Sequence, residues 1–113
     1  MWISPVAIRS NLKLIEMKIL AIEKGLKIIE RERETEILKK EAHQLFRLFL
    51  SGHIKEIFFN DSKNAILILE CENIESANEL LNSLPLVNKQ YTEYDLMQIN
   101  PLIGFNVLTD LDS

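Results

Sequence analysis

The residues Ala65-Ile66-Leu67-Ile68-Leu69 form an unbroken apolar run near the middle of this sequence. The run belongs to residues 64–71, whose length and branched side chains are typical of a β-strand. A strand with one face in water normally alternates apolar and polar residues, because successive side chains point to opposite faces. The missing alternation predicts a strand that is covered on both faces, and any fold of this chain must supply both covers.

The flanking patterns predict three more strands and two helices. Strand-like runs occupy residues 17–24, 53–60 and 91–99, and Asp61-Ser62-Lys63 has the composition of a hairpin turn. The first helix ends at Ser51-Gly52, and its predicted apolar stripe consists of Leu38, Ala42, Leu45, Phe46 and Phe49. The charged segment before it, residues 30–36, is either an irregular lead-in or the first turns of the helix.

The second helix is predicted from an N-capping residue, an apolar stripe and a proline that ends the helix. Asn73 is a suitable N-cap, and Pro85 ends the helix. Its apolar positions recur at helical spacing, at Ala77, Leu80, Leu81 and Leu84.

The resulting order is β-α-β-β-α-β, which predicts an α+β fold of the ferredoxin-like type with a four-stranded antiparallel sheet. Right-handed crossovers put both helices on one face of the sheet, with the strands in the spatial order 4-1-3-2. The helices cover only that face. The simplest cover for the other face is the sheet of a second copy, so we expect a homodimer with two sheets packed face to face.

The chain of 113 residues is the length of one domain, which we place at residues 17–113 including a C-terminal tail. Residues 1–16 are interrupted by Pro5 and Arg9 and lack the pattern of a signal peptide. We interpret them as a poorly packed extension, or as an artefact of a start site placed upstream of Met17.

Four segments closely resemble the muconolactone isomerase-like branch of the dimeric α/β-barrel superfamily. They are KILAIEK (18–24), EAHQLFRLFLSGHIKEIFF (41–59), AILILECENIESANELLNSLPLV (65–87) and NPLIGF (100–105). The resemblance implies a homodimer or larger homo-oligomer, an eight-stranded barrel, and a cavity inside the barrel or between sheet and helices. It also implies that the Leu84-Pro85-Leu86-Val87 turn is a buried corner against the sheet edge or the partner.

The sequence departs from the pattern of that branch in two places. Residues 27–36 are charged and helix-prone where such relatives usually carry glycine and proline, and Gln98 stands where a proline is usual. The first departure leaves open the shape of the pocket rim.

Isomerases of this type move a proton between carbon atoms of a small lactone, which requires an acid–base group in a sheltered cavity. Glu23, late in the first strand, and Glu93, early in the fourth, are predicted neighbours, so mutual repulsion and burial would raise one pKa and create a catalytic base. Tyr94 would position a substrate oxygen. The competing interpretation is that both acids are solvated or pair with Lys24 or Lys89.

The remaining reactive side chains have simpler explanations. His53 follows the first helix and either caps its carbonyls or lies at the barrel mouth as a substrate contact, whereas His43 is expected at the surface. Glu70 is expected to pair with Lys18, His53 or Lys55, and Cys71 to be an inert core residue. Two scattered histidines and three glycines in total predict no metal site, no phosphate loop and no cofactor.

The overall composition argues against two classes of partner, nucleic acids and membranes. With 17 acidic and 13 basic residues, the net charge of −4 offers no basic face for nucleic acid, and no apolar run is long enough for a membrane span. One cysteine fits a reducing cytoplasm. Three functions remain open: an isomerase of a small lactone-like metabolite, a non-catalytic homodimer that binds a small apolar metabolite, and a protein-interaction module.

Overall fold

A four-stranded antiparallel sheet organises the chain. The computed structural model describes residues 16–100, and its strands are β1 (Met17–Gly25), β2 (Ile54–Phe59), β3 (Ala65–Cys71) and β4 (Thr92–Ile99). Their order is β2-β3-β1-β4, with every neighbouring pair antiparallel, which confirms the predicted fold class and strand order. The predictions for residues 1–15 and for the tail after Asn100 lie outside the described residues.

Three helices connect the strands: α1 (Thr35–Leu50), α2 (Ile74–Asn82) and α3 (Pro85–Asn88). The predicted cap of α2 is present, because the Asn73 side chain accepts a hydrogen bond from the backbone N–H of Ser76 at 2.7 Å. Gly52 follows α1 with a φ of +88°, a left-handed conformation that favours glycine. In the described part of the chain, no helix is long and apolar enough to cross a membrane.

The two faces of the sheet differ in burial. Ile19, Ala21, Leu67 and Leu69 are fully buried on the face that the helices cover. On the opposite face, hereafter the open face, Ile66 and Ile68 of β3 are only half-buried. The apolar run of β3 therefore has one complete cover within the protomer.

The apolar stripe predicted for α1 is partly wrong. Leu45 is buried, but Ala42, Phe46 and Phe49 are exposed, with 58% of Phe46 accessible to solvent. The row that faces the sheet is instead Leu38, Glu41, Leu45 and Leu48, spaced by three and four residues. The predicted stripe follows the apolar residues alone, whereas the helix turns the carboxylate of Glu41 into the protein interior.

The Leu84-Pro85-Leu86-Val87 corner is buried, as predicted. Leu84 is fully buried in the main core, Leu86 is buried, and Val87 packs against the same core. Pro85 also begins α3, where its fixed φ and missing N–H suit the first turn of a helix. The corner packs against α1, α2 and β4 and so closes one end of the helical layer.

Candidate functional site

A cavity of about 390 Å³ lies between α1, the sheet and two loops, which is within the usual size range of small-molecule sites. Its walls come from the end of β1, the loop that follows it, α1, the β2–β3 hairpin, α3 and the start of β4. The buried end of the cavity is lined by Glu23, Glu41 and Thr92, and the exposed end by Lys27, Arg31 and Lys63.

Glu23 enters this cavity from β1. Alternation along the strand puts Glu23 on the same face as Ile19 and Ala21, under the helices, and leaves it 7% exposed. Its Oε1 accepts a hydrogen bond from the backbone N–H of Ala65 at 2.9 Å. The carboxylate therefore holds the first residue of β3 in place while its side chain lines the cavity wall.

Glu41 enters from α1, one turn before Leu45, and is 5% exposed. Its Oε1 accepts a hydrogen bond from the backbone N–H of Leu86 at 2.9 Å, in the first turn of α3, where free N–H groups favour an anion. Its Oε2 is buried and has no hydrogen-bond partner within residues 16–100. Oε1 thus holds the start of α3, whereas Oε2 is available to accept a proton or a hydrogen bond from a ligand.

Burial governs the protonation of Glu41. Desolvation raises its pKa from 4.5 to about 7, helped by repulsion from Glu23 and opposed by the Leu86 hydrogen bond. At neutral pH the side chain therefore exists in both the acid and the base form. That is the condition under which a carboxyl group both removes and returns protons efficiently.

Two buried hydroxyl groups accompany the acids. Thr92 lines the cavity, and Tyr94 lies directly across the β1–β4 pair from Glu23, on the same face. Neither hydroxyl has a hydrogen-bond partner in the described chain. Burial, then the negative charges of Glu23 and Glu41, raise the pKa of Tyr94, so its hydroxyl keeps its proton as a potential donor.

The loop between β1 and α1 forms the exposed wall, and Tyr91 fixes it at both ends. The Tyr91 carbonyl accepts hydrogen bonds from the N–H groups of Leu26 and Lys27, at 2.8 and 3.2 Å. The Tyr91 hydroxyl donates to Glu34 at 3.0 Å, and the Lys27 ammonium lies 5.3 Å from the centre of the Tyr91 ring. A charged loop without regular structure is thereby held over the cavity.

Glu93 does not face Glu23, so the structure does not form the expected carboxylate pair. In the β1–β4 register Glu93 lies opposite Lys24 and Glu23 lies opposite Tyr94. This offset of one residue places the two acids on opposite faces of the sheet. On the open face, Glu93 pairs with Lys24 at 3.1 Å, which is the alternative that the sequence also allowed.

His53 lies at the other end of the sheet from Glu23. It is exposed, its Nδ1 is 2.8 Å from the Ser51 hydroxyl, and its backbone N–H donates to the Leu48 carbonyl, so it helps to end α1. Glu70 pairs with Lys55 at 3.7 Å, and Cys71 is a free, buried cysteine whose pKa is raised by burial and by Glu16. His43 is exposed.

Glu41 was missed by the sequence reasoning. Its signal is its spacing: it lies three residues after Leu38 and four before Leu45, in the apolar row of an amphipathic helix. If the apolar residues of such a row face the core, a carboxylate among them is buried with them. The structure buries it, and so replaces Glu93 with Glu41 as the neighbour of Glu23.

Residues 16–100 contain no group of three or more His, Cys, Asp or Glu side chains placed to bind a metal ion. A scan against models of known protein families and a search of the curated proteins find no match to this chain.

Proposed function

We propose that this protein binds a small lactone-like metabolite in the cavity beside α1 and isomerises it by proton transfer, with Glu41 as the acid–base group. The observation that carries the proposal is the buried, unpartnered Oε2 of Glu41 in the wall of a cavity of about 390 Å³. The resemblance to muconolactone isomerases supports the substrate class and the reaction type.

The proposed reaction needs only one proton and one group to carry it. Ionised Glu41 takes a proton on Oε2 from a ring carbon, and the C–H electron pair becomes part of an enolate double bond. The proton then moves from Glu41 to the carbon at the far end of the conjugated system, which leaves the double bond shifted and Glu41 ionised again. Throughout, the N–H of Leu86 holds Oε1 and so fixes the orientation of the carboxyl group.

Thr92 and Tyr94 have the complementary role of hydrogen-bond donors. The enolate gathers negative charge on the lactone carbonyl oxygen, and a hydroxyl donor aimed at that oxygen lowers the barrier. Both hydroxyl groups are buried and free of protein partners within residues 16–100. Thr92 lines the cavity and is assigned to this role, with Tyr94 as the adjacent donor.

The proposal is tested by proton exchange. The purified protein is incubated in D₂O with unsaturated five-membered lactones, beginning with α-angelica lactone, and deuterium incorporation and double-bond position are followed by NMR. We expect Glu41→Gln to abolish exchange, because an amide cannot accept the proton. The matched control is Glu93→Gln, whose side chain lies on the other face of the sheet; exchange that survives in Glu41→Gln would overturn the assignment.

A non-catalytic role is the second candidate, and one observation favours it. Glu23 and Glu41 each accept a hydrogen bond from a backbone N–H, at 2.9 Å, so both have a structural task without any substrate. On this alternative the cavity binds a metabolite, or the domain binds another protein, and no chemistry follows. Binding of a lactone without exchange at any pH between 6 and 9 would favour it.

We further propose that the protein is a cytoplasmic homodimer whose open sheet faces pack together. The support is the composition of the open face: Leu20, Ile22, Ile66 and Ile68 are half-buried, and Phe58 and Met97 are about half exposed. Contiguous apolar surface of this kind is usually covered by a partner.

Sedimentation equilibrium tests the dimer by measuring the mass of the particle in solution. The variant Ile68→Asp is expected to give a folded monomer. The control Phe46→Ser, on the far side of α1, is expected to remain a dimer. A wild-type monomer at micromolar concentration would refute the dimer.

A further inference from the structure

The charges that line the cavity are separated along its depth. The acids, Glu23 and Glu41, are at the buried end, with 7% and 5% of their side chains exposed. The cations Lys27, Arg31 and Lys63 line the same cavity and are all exposed to solvent. A protein with a net charge of −4 thus gathers three of its 13 basic residues at one opening.

These charges do not neutralise one another. Among residues 16–100, the ion pairs join Lys24 to Glu93 and Asp95, Arg33 to Glu30, and Lys55 to Glu70. None of them includes a charged residue of the cavity wall. The buried Oε2 of Glu41 and Oγ1 of Thr92 also have no hydrogen-bond partner there. Buried polar atoms are nearly always satisfied, so these two indicate a missing donor at the deep end.

We infer that the cavity selects a small zwitterion, with a protonated nitrogen at Glu23, Glu41 and Thr92 and an anionic group at Lys27, Arg31 and Lys63. The ammonium group donates to Glu41 Oε2 and Thr92 Oγ1 and offsets the repulsion between the two carboxylates. The carboxylate or phosphate of the ligand stays near water, where lysine and arginine side chains reach it. Leu38, Leu45 and Phe59 line the wall for the apolar segment that joins the ends.

This inference rests on the proposed function in one respect, the use of the same cavity, and it adds the charge pattern that the ligand carries there. An amino group beside Glu41 also keeps that carboxylate ionised, which is the form that removes a proton.

The test uses three ω-amino acids of increasing length: 4-aminobutanoate, 5-aminopentanoate and 6-aminohexanoate. Each is compared with the carboxylic acid and the amine of the same chain length, by titration followed in ¹H–¹⁵N correlation spectra of the full chain. We expect the amino acid of best length to bind at least about tenfold more tightly than the carboxylic acid or the amine of the same chain length. The second charged group of the amino acid would add about two charge-assisted hydrogen bonds, which is enough for this difference.

Two variants locate the ends of the ligand. Glu41→Gln, which keeps an oxygen for the Leu86 N–H, is expected to remove the preference over the plain carboxylic acid. Arg31→Gln is expected to reduce the preference over the plain amine. Lys39→Gln, an exposed cation of α1 outside the cavity, is the control and should change neither; circular dichroism checks that each variant folds.

The inference would be overturned if an amino acid bound no more tightly than the carboxylic acid and the amine of the same chain length. It would also be overturned if none of the three amino acids bound. Turnover of an uncharged lactone that binds more tightly than these probes would also overturn it while leaving the proposed function intact. Selective binding of the amino acids without proton exchange on any lactone would support it and contradict the proposed function.

Discussion

Replacing Glu41 by Gln should make the stability of this protein less dependent on pH. The pKa of Glu41 is about 7 in the folded protein, against 4.5 for an ordinary glutamate. Below pH 4.5 both states are protonated and the group has no effect on stability. Between pH 4.5 and about 7 the unfolded chain releases the proton and the folded chain keeps it, so the free energy of unfolding falls as pH rises.

The size of this loss follows from the shift. The gap between 4.5 and about 7 is about 2.5 pH units, and at about 1.4 kcal/mol per unit it corresponds to about 3 kcal/mol. The cavity opens to water, and screening there reduces the value to about 2 kcal/mol. A typical domain has a total stability of about 5–15 kcal/mol, so the change is large enough to measure.

The variant Glu41→Gln has no proton to lose and retains an oxygen for the Leu86 N–H. Its free energy of unfolding relative to wild type should therefore rise by about 2 kcal/mol between pH 5 and pH 8.5. Urea unfolding at a series of pH values measures this difference. The control is Glu79→Gln, an exposed carboxylate of α2, which reports the contribution of a solvated side chain. A difference between Glu41→Gln and wild type that stays constant over this range would refute the reasoning.

Three further outcomes are expected. Glu23→Gln should move the NMR titration midpoint of the Glu41 carboxyl carbon below 7, since it removes a repelling charge; an unchanged midpoint would show that the two acids are not coupled. Leu84→Ala should cost about 2–5 kcal/mol in urea unfolding, because the side chain is fully buried at the corner between α2 and α3, and a loss well under that range would contradict its place in the core. Asn73→Ala should cost about 1 kcal/mol and Asn73→Ser much less, because serine also caps α2; equal losses would argue against capping.

The fold was predictable because its signals are local. The cap at Asn73, the glycine after α1 and the hairpin composition at Asp61-Ser62-Lys63 each depend on a few neighbouring residues, and the structure has all three features. The hairpin turn is closed by the Asn60 carbonyl, which accepts from the N–H of Lys63 at 2.9 Å. The strand order then follows from the known handedness of crossovers.

The site was less predictable because it depends on register and rotation. An error of one residue in the β1–β4 pairing exchanges the faces of Glu93 and Tyr94, and the sequence does not fix that pairing. The rotation of α1 has the same effect on Glu41 and Phe46: whichever row faces the sheet determines whether a carboxylate or an aromatic ring is buried. Of the four predicted site residues, the structure brings Glu23 and Tyr94 together across β1 and β4, whereas Glu93 lies on the open face and His53 at the other end of the sheet.

Tyr91 has a consequence for how ligands would reach the cavity. This single residue, directly before β4, binds the loop after β1 through its carbonyl at one end and through its hydroxyl at the other. Among residues 16–100, the Tyr91 hydroxyl bonds to Glu34, the N-cap residue of α1, and takes no part in the strand pairing of the sheet. A substitution at Tyr91 that removes its hydroxyl would therefore release one end of the loop at the cavity entrance. The hydrogen bonds that hold Glu23 and Glu41 involve other residues and would remain.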